Sequence, residues 1–158
     1  RRELAVVWGD VSEKNVEQLE RLNGAIFPVR YSPKFYKDVL SAPEGFAKLA
    51  YYNDVLVGAV CVRKEPRDDG KALLYIMTLG VLAPYRGRGI GTKLLSLLFD
   101  LVNSPQCQDV CEMYLHVHTT NEEAIAFYKK HGFQIVEMIS DYYRRMNPPD
   151  CYRLAKTL

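Results

Sequence analysis

One junction constrains this chain more than any other. A strand-like run, ALLYIMTLGVL (Ala72 to Leu82), passes through APYRGRGIGTK (Ala83 to Lys93) into the amphipathic KLLSLLFDLV (Lys93 to Val102). Three glycines and two arginines therefore sit at the mouth of a helix. A helix N-terminus exposes unpaired N–H groups and about half a positive charge. Glycine lets a ligand come close to that backbone. Together these predict an anion site, typically for phosphate. Two common phosphate patterns fail here. The Walker pattern needs Gly-Lys-Ser/Thr, and the order is Gly91-Thr92-Lys93. The dinucleotide pattern Gly-x-Gly-x-x-Gly, begun at Gly87, meets Thr92 where its last glycine should be. What fits is Arg-x-x-Gly-x-Gly, from Arg86 through Gly89 to Gly91. Taken alone, these residues also allow a glycine-rich turn that merely opens a helix.

The flanking patterns supply the rest of the fold. LAVVW (Leu4 to Trp8) reads as a first strand. Ser12 reads as an N-cap for a helix in which Val16, Leu19, Leu22 and Ile26 recur at helical spacing. Pro28 ends that helix, and Ser32-Pro33 starts a short one to about Leu40. Asn53-Asp54 is a hairpin turn between two strands, and RDDGK (Arg67 to Lys71) is a second polar turn. CEMYLHVH (Cys111 to His118) reads as a strand. Asn121 caps a helix whose first turn holds Glu122 and Glu123, and His131-Gly132 ends it. FQIVEMI and at least one segment after Tyr142 complete the strands. The predicted order is β-α-α-β-β-β-α-β-α-β-β, an α/β chain with one mixed sheet covered by helices. The strands at 72–82 and 111–118 are joined through a helix and should be parallel.

Composition narrows the classes. A chain of 158 residues suits one domain, expected to span 1–158. Hydrophobic content of 48% and charged content of 25% are ordinary for a globular protein. A net charge of +2 with dispersed basic residues argues against nucleic acid as a direct partner. No apolar run approaches the roughly 20 residues of a membrane span. RRELAVVWGD is too short and too acidic for a signal peptide, and with no initiator Met the chain is expected to be a trimmed piece of a longer product. The irregular spacing of Cys61, Cys107, Cys111 and Cys151 fits reduced thiols. Cys107, Cys111, His116 and His118 lie close in sequence, but Cys111 and His116 fall on opposite faces of one strand, so no metal is expected.

Arg86-x-x-Gly89-x-Gly91 resembles the acyl-CoA pyrophosphate signature of the Gcn-five-related N-acetyltransferase superfamily. NEEAIAFYKKHGF (Asn121 to Phe133) resembles its late helix, where a capping Asn, a Phe-Tyr pair and a terminal Gly-Phe recur. More narrowly, RLNGAIFPVRYSPKFYKDVL, KLAYYNDVLVGAV, LYIMTLGVLAPYRGRGIGTKLL, YLHV and DYYRR resemble the NatE-type N-alpha-acetyltransferases over nearly the whole chain. The resemblance implies the GNAT fold, with a mostly antiparallel sheet, a parallel β-α-β core and helices on both faces. It implies acetyl-CoA as co-substrate, held by Leu79, Val81, Arg86, Gly87, Arg88, Gly89, Ile90, Gly91 and Thr92, with Asn121 and Tyr128 from the late helix. Tyr128 corresponds to a tyrosine that points at the CoA sulfur.

Chemistry then constrains the substrate. A neutral amine must attack a thioester, so a proton must leave the amine. An α-amine has a pKa near 7.7–8.0 against about 10.4 for lysine, so neutralising lysine costs about 3.5 kcal/mol more. A modest base suffices for an N-terminus, and lysine is at most a slow secondary substrate. On the late strand Tyr114, His116 and His118 share a face, and on the preceding one Tyr75, Met77 and Leu79 do. In parallel neighbours Tyr75 and His116 can converge. The resembling family uses the matching Tyr and His to hold a water that takes the amine proton. His116 alone, and His118, also read as structural histidines. FPVRY and DYY form, in that family, a pocket for an N-terminal Met followed by an apolar residue. This gives Phe27, Pro28 and Val29 to the Met side chain, Tyr31, Tyr142 and Tyr143 to the peptide backbone, and Met77 to the same pocket.

Two other functions are weighed: a lysine or small-amine acetyltransferase of the same fold, and a non-catalytic acyl-CoA-binding subunit of a ribosome-associated complex. FPVRY and DYY speak against the first, and Tyr75 with His116 against the second. The resemblance implies protein N-termini as partners, association with the large auxiliary subunit of the NatA complex at the ribosome, and a cytoplasmic location with the nucleus as a second compartment.

Overall fold

The computed structural model describes residues 2–158. The element order is that of the sequence pattern: β1 (Val7–Asp10), α1 (Val16–Ile26), α2 (Pro33–Leu40), β2 (Ala47–Tyr52), β3 (Val55–Pro66), β4 (Ala72–Val81), α3 (Ile90–Val102), β5 (Val110–His118), α4 (Glu122–Lys130), β6 (Gln134–Ile139) and β7 (Cys151–Thr157). Local chemistry sets most boundaries. Ser32 caps α2 by accepting from the Phe35 N–H at 3.3 Å. Asn121 caps α4 by accepting from the Ala124 N–H at 3.2 Å. Asn53 and Asp54 take φ of 48° and 65°, which turns the β2–β3 hairpin tightly. Gly132 follows α4 with φ 92°, where a Cβ is disfavoured.

The start of the chain departs from its pattern. The first strand is Val7–Asp10 and not Leu4–Trp8, because its register is fixed by pairing with β2, Val7 opposite Tyr51 and Asp10 opposite Lys48. Leu4 instead gives its N–H to the Arg88 carbonyl at 3.2 Å. Ser12 is not the helix cap. Its N–H donates to Asn15 Oδ1 at 2.8 Å, closing a turn, and α1 begins after Asn15.

The strands form one sheet in the order β1-β2-β3-β4-β5-β7-β6. Antiparallel pairs dominate. The exception is β4 with β5, which run parallel with Tyr75 opposite Tyr114. β7 returns antiparallel beside β5, placing Arg153 opposite His116.

Two compact units divide the chain, one running up to Arg63 and including Met77–Gln108, the other Lys64–Ile76 with Asp109–Leu158. In the first, Leu19, Leu22, Tyr36, Val39, Ala47, Leu49, Ala59 and Cys61 form one buried cluster. Asn23 is buried within this unit and bonds to the Tyr36 hydroxyl at 3.3 Å, so its polar group is not orphaned. Gly58 on β3 lies close to β4, since a Cβ there would stand 3.1 Å from the Gly80 carbonyl oxygen. In the second unit, Met113, Leu115 and Val117 are the buried face of β5, and Tyr128 meets Phe133 edge-on at 5.4 Å.

Leu49 has no exposed surface. Leu49→Ala is expected to lower unfolding free energy by about 2–5 kcal/mol, through lost burial and a cavity. Urea denaturation followed by circular dichroism measures it.

Candidate active site

The glycine junction becomes a glycine-rich loop on a helix start, with the exposed Glu3 side chain lying against Gly89 and paired with Lys93 at 3.8 Å. Ala83–Tyr85 forms one 3-10 turn after β4. Gly87 and Gly89 both take left-handed backbone, φ 73° and 85°, and Gly89 is the N-cap of α3. The Lys93 N–H is the first to reach back into the helix, to the Gly89 carbonyl at 3.0 Å. The N–H groups of Ile90, Gly91 and Thr92 precede it and have no intrahelical acceptor. Gly91 lies inside the first turn, so its bare Cα serves surface and not φ. The Arg86 Nε donates to the Val81 carbonyl at 2.8 Å, which ties the loop to the end of β4. The Arg88 Nε donates to the Arg2 carbonyl at 2.7 Å. Val81 and Ile90 are buried, so only their main-chain groups can face a ligand. Leu79 is half-buried and Thr92 exposed.

In the other unit, alternation along β4 and β5 brings Tyr75 and His116 together. The Tyr75 hydroxyl stands 3.3 Å from His116 Nδ1. The Tyr142 hydroxyl stands 3.3 Å from the same nitrogen, and its ring lies 4.6 Å from the imidazole. Burial lowers the proton affinity of His116 first, and the positive charge of Arg153 lowers it further, against the opposing pull of Glu65 and Glu137. The ring is thus held neutral near pH 7, the state a base needs. His118 is occupied otherwise, with Thr120 Oγ1 at 2.6 Å from its Nδ1 and the Pro148 carbonyl on Nε2. Tyr143 packs edge-on against Tyr142 at 4.9 Å. Asn121 is spent on its helix cap. Tyr128 is 5% exposed, and burial raises its proton affinity, so its hydroxyl stays protonated.

The FPVRY segment leaves α1 beside β4. At Gly80 an added Cβ would stand 2.8 Å from the Phe27 ring, so only glycine lets Phe27 sit there. Phe27 meets Tyr31 edge-on at 6.0 Å, and Tyr31 lies 4.8 Å from Phe35. Met77 and Tyr31 pack on the same buried cluster. Pro28 and Arg30 are exposed and Val29 partly so.

Comparison with known proteins identifies the arrangement. Residues 16–133 match the acetyltransferase (GNAT) family. The chain belongs to the GNAT acetyltransferase family. It is 52% identical over 150 residues to N-alpha-acetyltransferase 50 of Danio rerio, covering 95% of this chain and 87% of that one. It is 49% identical over 154 residues to "Probable N-acetyltransferase san" of Drosophila melanogaster, covering 98% and 82%. The structure of Arabidopsis thaliana Naa50 in complex with the bisubstrate analogue CoA-Ac-MVNAL superposes with a TM-score of 0.88 at 50% identity, covering 98% of this chain and all of that one. The protein is therefore an acyltransferase.

The glycine loop of this acetyltransferase suits a diphosphate. It offers first-turn N–H groups, a left-handed glycine at the cap and no helix side chain over Gly91. Among the described residues, no group of three or more His, Cys, Asp or Glu is arranged to hold a metal ion. Sequence pattern did not single out Tyr114, Arg153 and Glu65, which surround the Tyr75–His116 pair. Tyr114 shares the face of His116, and that alternation was the one available signal. Arg153 and Glu65 carry none, because their approach depends on strand pairing.

Gly89→Asp would put a carboxylate at the cap of α3, where acetyl-CoA phosphates are expected. Asp tolerates left-handed backbone better than most residues, but its Cβ would stand 3.2 Å from the Glu3 side chain, which is exposed and can swing away, so the unliganded protein should lose about 1–3 kcal/mol. Calorimetry should show acetyl-CoA affinity reduced at least about tenfold, the size of one lost charge-assisted contact. Retained affinity would rule this loop out as the diphosphate site.

Proposed function

We propose that the protein transfers acetyl from acetyl-CoA to the free α-amine of protein and peptide N-termini, preferring Met followed by an apolar residue. Tyr75 and His116 hold the water that takes the amine proton. The observation that carries this reading is the 3.3 Å approach of the Tyr75 hydroxyl to a His116 ring kept neutral by burial. Acetyl-CoA supplies the thioester, and the loop Arg86–Thr92 holds its diphosphate. The amine nitrogen bonds to the acetyl carbon, the carbon–sulfur bond breaks with its electron pair going to sulfur so that CoA leaves as the thiolate, and one amine proton passes through the water to His116. An α-amine needs only this mild base, whereas a lysine, with an ordinary pKa about 2.5 units higher, is correspondingly harder to neutralise.

Substrate choice follows from apolar burial. Phe27, Pro28, Val29 and Met77 offer the Met side chain a lining, with Gly80 admitting the Phe27 ring. Tyr31, Tyr142 and Tyr143 offer hydroxyls to the peptide backbone. Burying a Met side chain is worth roughly 1.5–3 kcal/mol, or one to two orders of magnitude in selectivity. The relative from Arabidopsis thaliana, bound to an analogue carrying MVNAL, supports a Met-first peptide with an apolar second residue. A co-translational α-amine substrate also favours work in the cytoplasm at the ribosome, beside the large auxiliary subunit of the NatA complex, with the nucleus as a second compartment.

The testing experiment compares peptides beginning Met-Leu, Ser and Glu with an acetyl-blocked peptide holding an internal Lys. Met-Leu should exceed Ser by about tenfold or more in kcat/KM, and the blocked peptide should be slowest. Equal rates on Ser or Glu starts, or a best rate on the blocked peptide, would refute the preference.

The pH profile tests the base. His116 must be neutral, so activity is present above its pKa and falls as pH drops through it. Its proton affinity is lowered in the fold, so the acid limb of kcat/KM should lie below the ordinary histidine value of about 6.5. His116→Ala should abolish that limb and most of kcat. A profile unchanged by His116→Ala would assign the base elsewhere.

A further inference from the structure

The face of β5 that carries His116 also carries Glu112 and Tyr114. Tyr114 is 8% exposed. Its ring stacks on that of Tyr75 with centroids 4.7 Å apart and planes 12° apart. The Arg153 guanidinium lies 4.1 Å from the centroid of the same Tyr114 ring. Tyr75 comes from β4 and Arg153 from β7, the strands on the two sides of β5. The three groups are therefore layered, Arg153 then Tyr114 then Tyr75. Both outer contacts of the middle ring are favourable, one as a stacked aromatic pair and one as a cation over a π face. The layers are also pinned at their polar ends. The Tyr114 hydroxyl donates to the Glu65 carboxylate, and Arg153 donates to Glu112 Oε2 at 3.2 Å. A phenol buried this thoroughly spends its one hydroxyl proton on a carboxylate and so has none to donate to a substrate. What it determines is where the neighbouring ring stands.

We propose that Tyr114 is a positioning residue for acetyl transfer: as the middle layer between Arg153 and Tyr75, it fixes the Tyr75 ring so that its hydroxyl meets His116. This rests on the reading that Tyr75 and His116 serve the chemical step. A displacement of about 1 Å in such a pair can cost on the order of a hundredfold in rate. The layer reaches His116 electrically as well, since Arg153 is its direct partner across β5 and β7. The other groups around His116 are Tyr75 on β4, Glu112 and His118 on β5, Tyr142 after β6, Glu65 at the end of β3 and Glu137 on β6.

The test is a mutant cycle in kcat, with KM for peptide and acetyl-CoA recorded alongside. Tyr114→Leu should lower kcat at least about tenfold and leave acetyl-CoA affinity within about twofold. On a Tyr75→Phe background the same change should cost less than about twofold more, as for residues acting through one another. Tyr114→Phe keeps the ring and gives up the hydroxyl with its bond to Glu65, so it should restore most of kcat. Equal cost of Tyr114→Leu on both backgrounds, or a Phe variant as poor as Leu, overturns the proposal. Full activity of Tyr75→Phe alone overturns the underlying reading, and the positioning role with it. If Tyr114→Leu does not fold, Arg153→Met decides, since that side chain is 29% exposed. Removing the positive neighbour makes His116 easier to protonate, so the acid limb of kcat/KM should move to higher pH while kcat falls. An unmoved limb with unchanged kcat overturns the proposal.

Discussion

The parallel pairing of β4 with β5 is the constraint on which the rest of this protein depends. Antiparallel neighbours need only a hairpin, but a parallel neighbour requires the chain to cross over before it returns. Here the crossover is α3, so a helix must begin soon after β4 ends. That requirement places a glycine-rich turn and a set of unpaired N–H groups immediately beyond the strand that carries Tyr75, Met77 and Leu79. The same pairing sets Tyr75 beside Tyr114 in register. The loop proposed for the diphosphate and the pair proposed for proton transfer thus both draw on one topological choice.

Around His116 the protein works by subtraction of solvent. Burial withdraws water from the imidazole and disfavours its charged form. Arg153 acts in the same direction, while Glu65 and Glu137 act against it. These charges are themselves paired in part, Arg153 with Glu112 and the Tyr114 hydroxyl with Glu65, so none is buried alone. The result is a neutral ring flanked by two phenols, Tyr75 and Tyr142, within a hydrogen bond's length of one nitrogen. In the proposed reaction such a base needs to take a proton only from an amine whose own pKa lies close to neutrality.

Glycine does different work at each place it matters. At Gly89 the need is conformational, a left-handed cap before α3. At Gly80 it is steric, since a Cβ would collide with the Phe27 ring and the Ile26 side chain. Only the first need has a local signature. The second arises because a loop more than fifty positions earlier folds onto β4, which no local pattern announces.

The sequence by itself determined what depends on near neighbours in the chain. Alternation assigned the faces of β4 and β5, Ser32-Pro33 and Asn121 set their helix starts, and Asn53-Asp54 set its hairpin. Parallelism of β4 and β5 followed from the helix between them, and it makes the approach of Tyr75 to His116 legible in the sequence. The tertiary structure alone decided what depends on partners far apart. β1 slid to Val7–Asp10 because β2 dictates its register, and Ser12 gave up its cap because Asn15 turned back to it. Arg153 came to lie over Tyr114 only because β7 pairs with β5. Side-chain periodicity records which face a residue occupies, but not which distant strand will lie beside it, and the stack behind Tyr75 is built from that second kind of information.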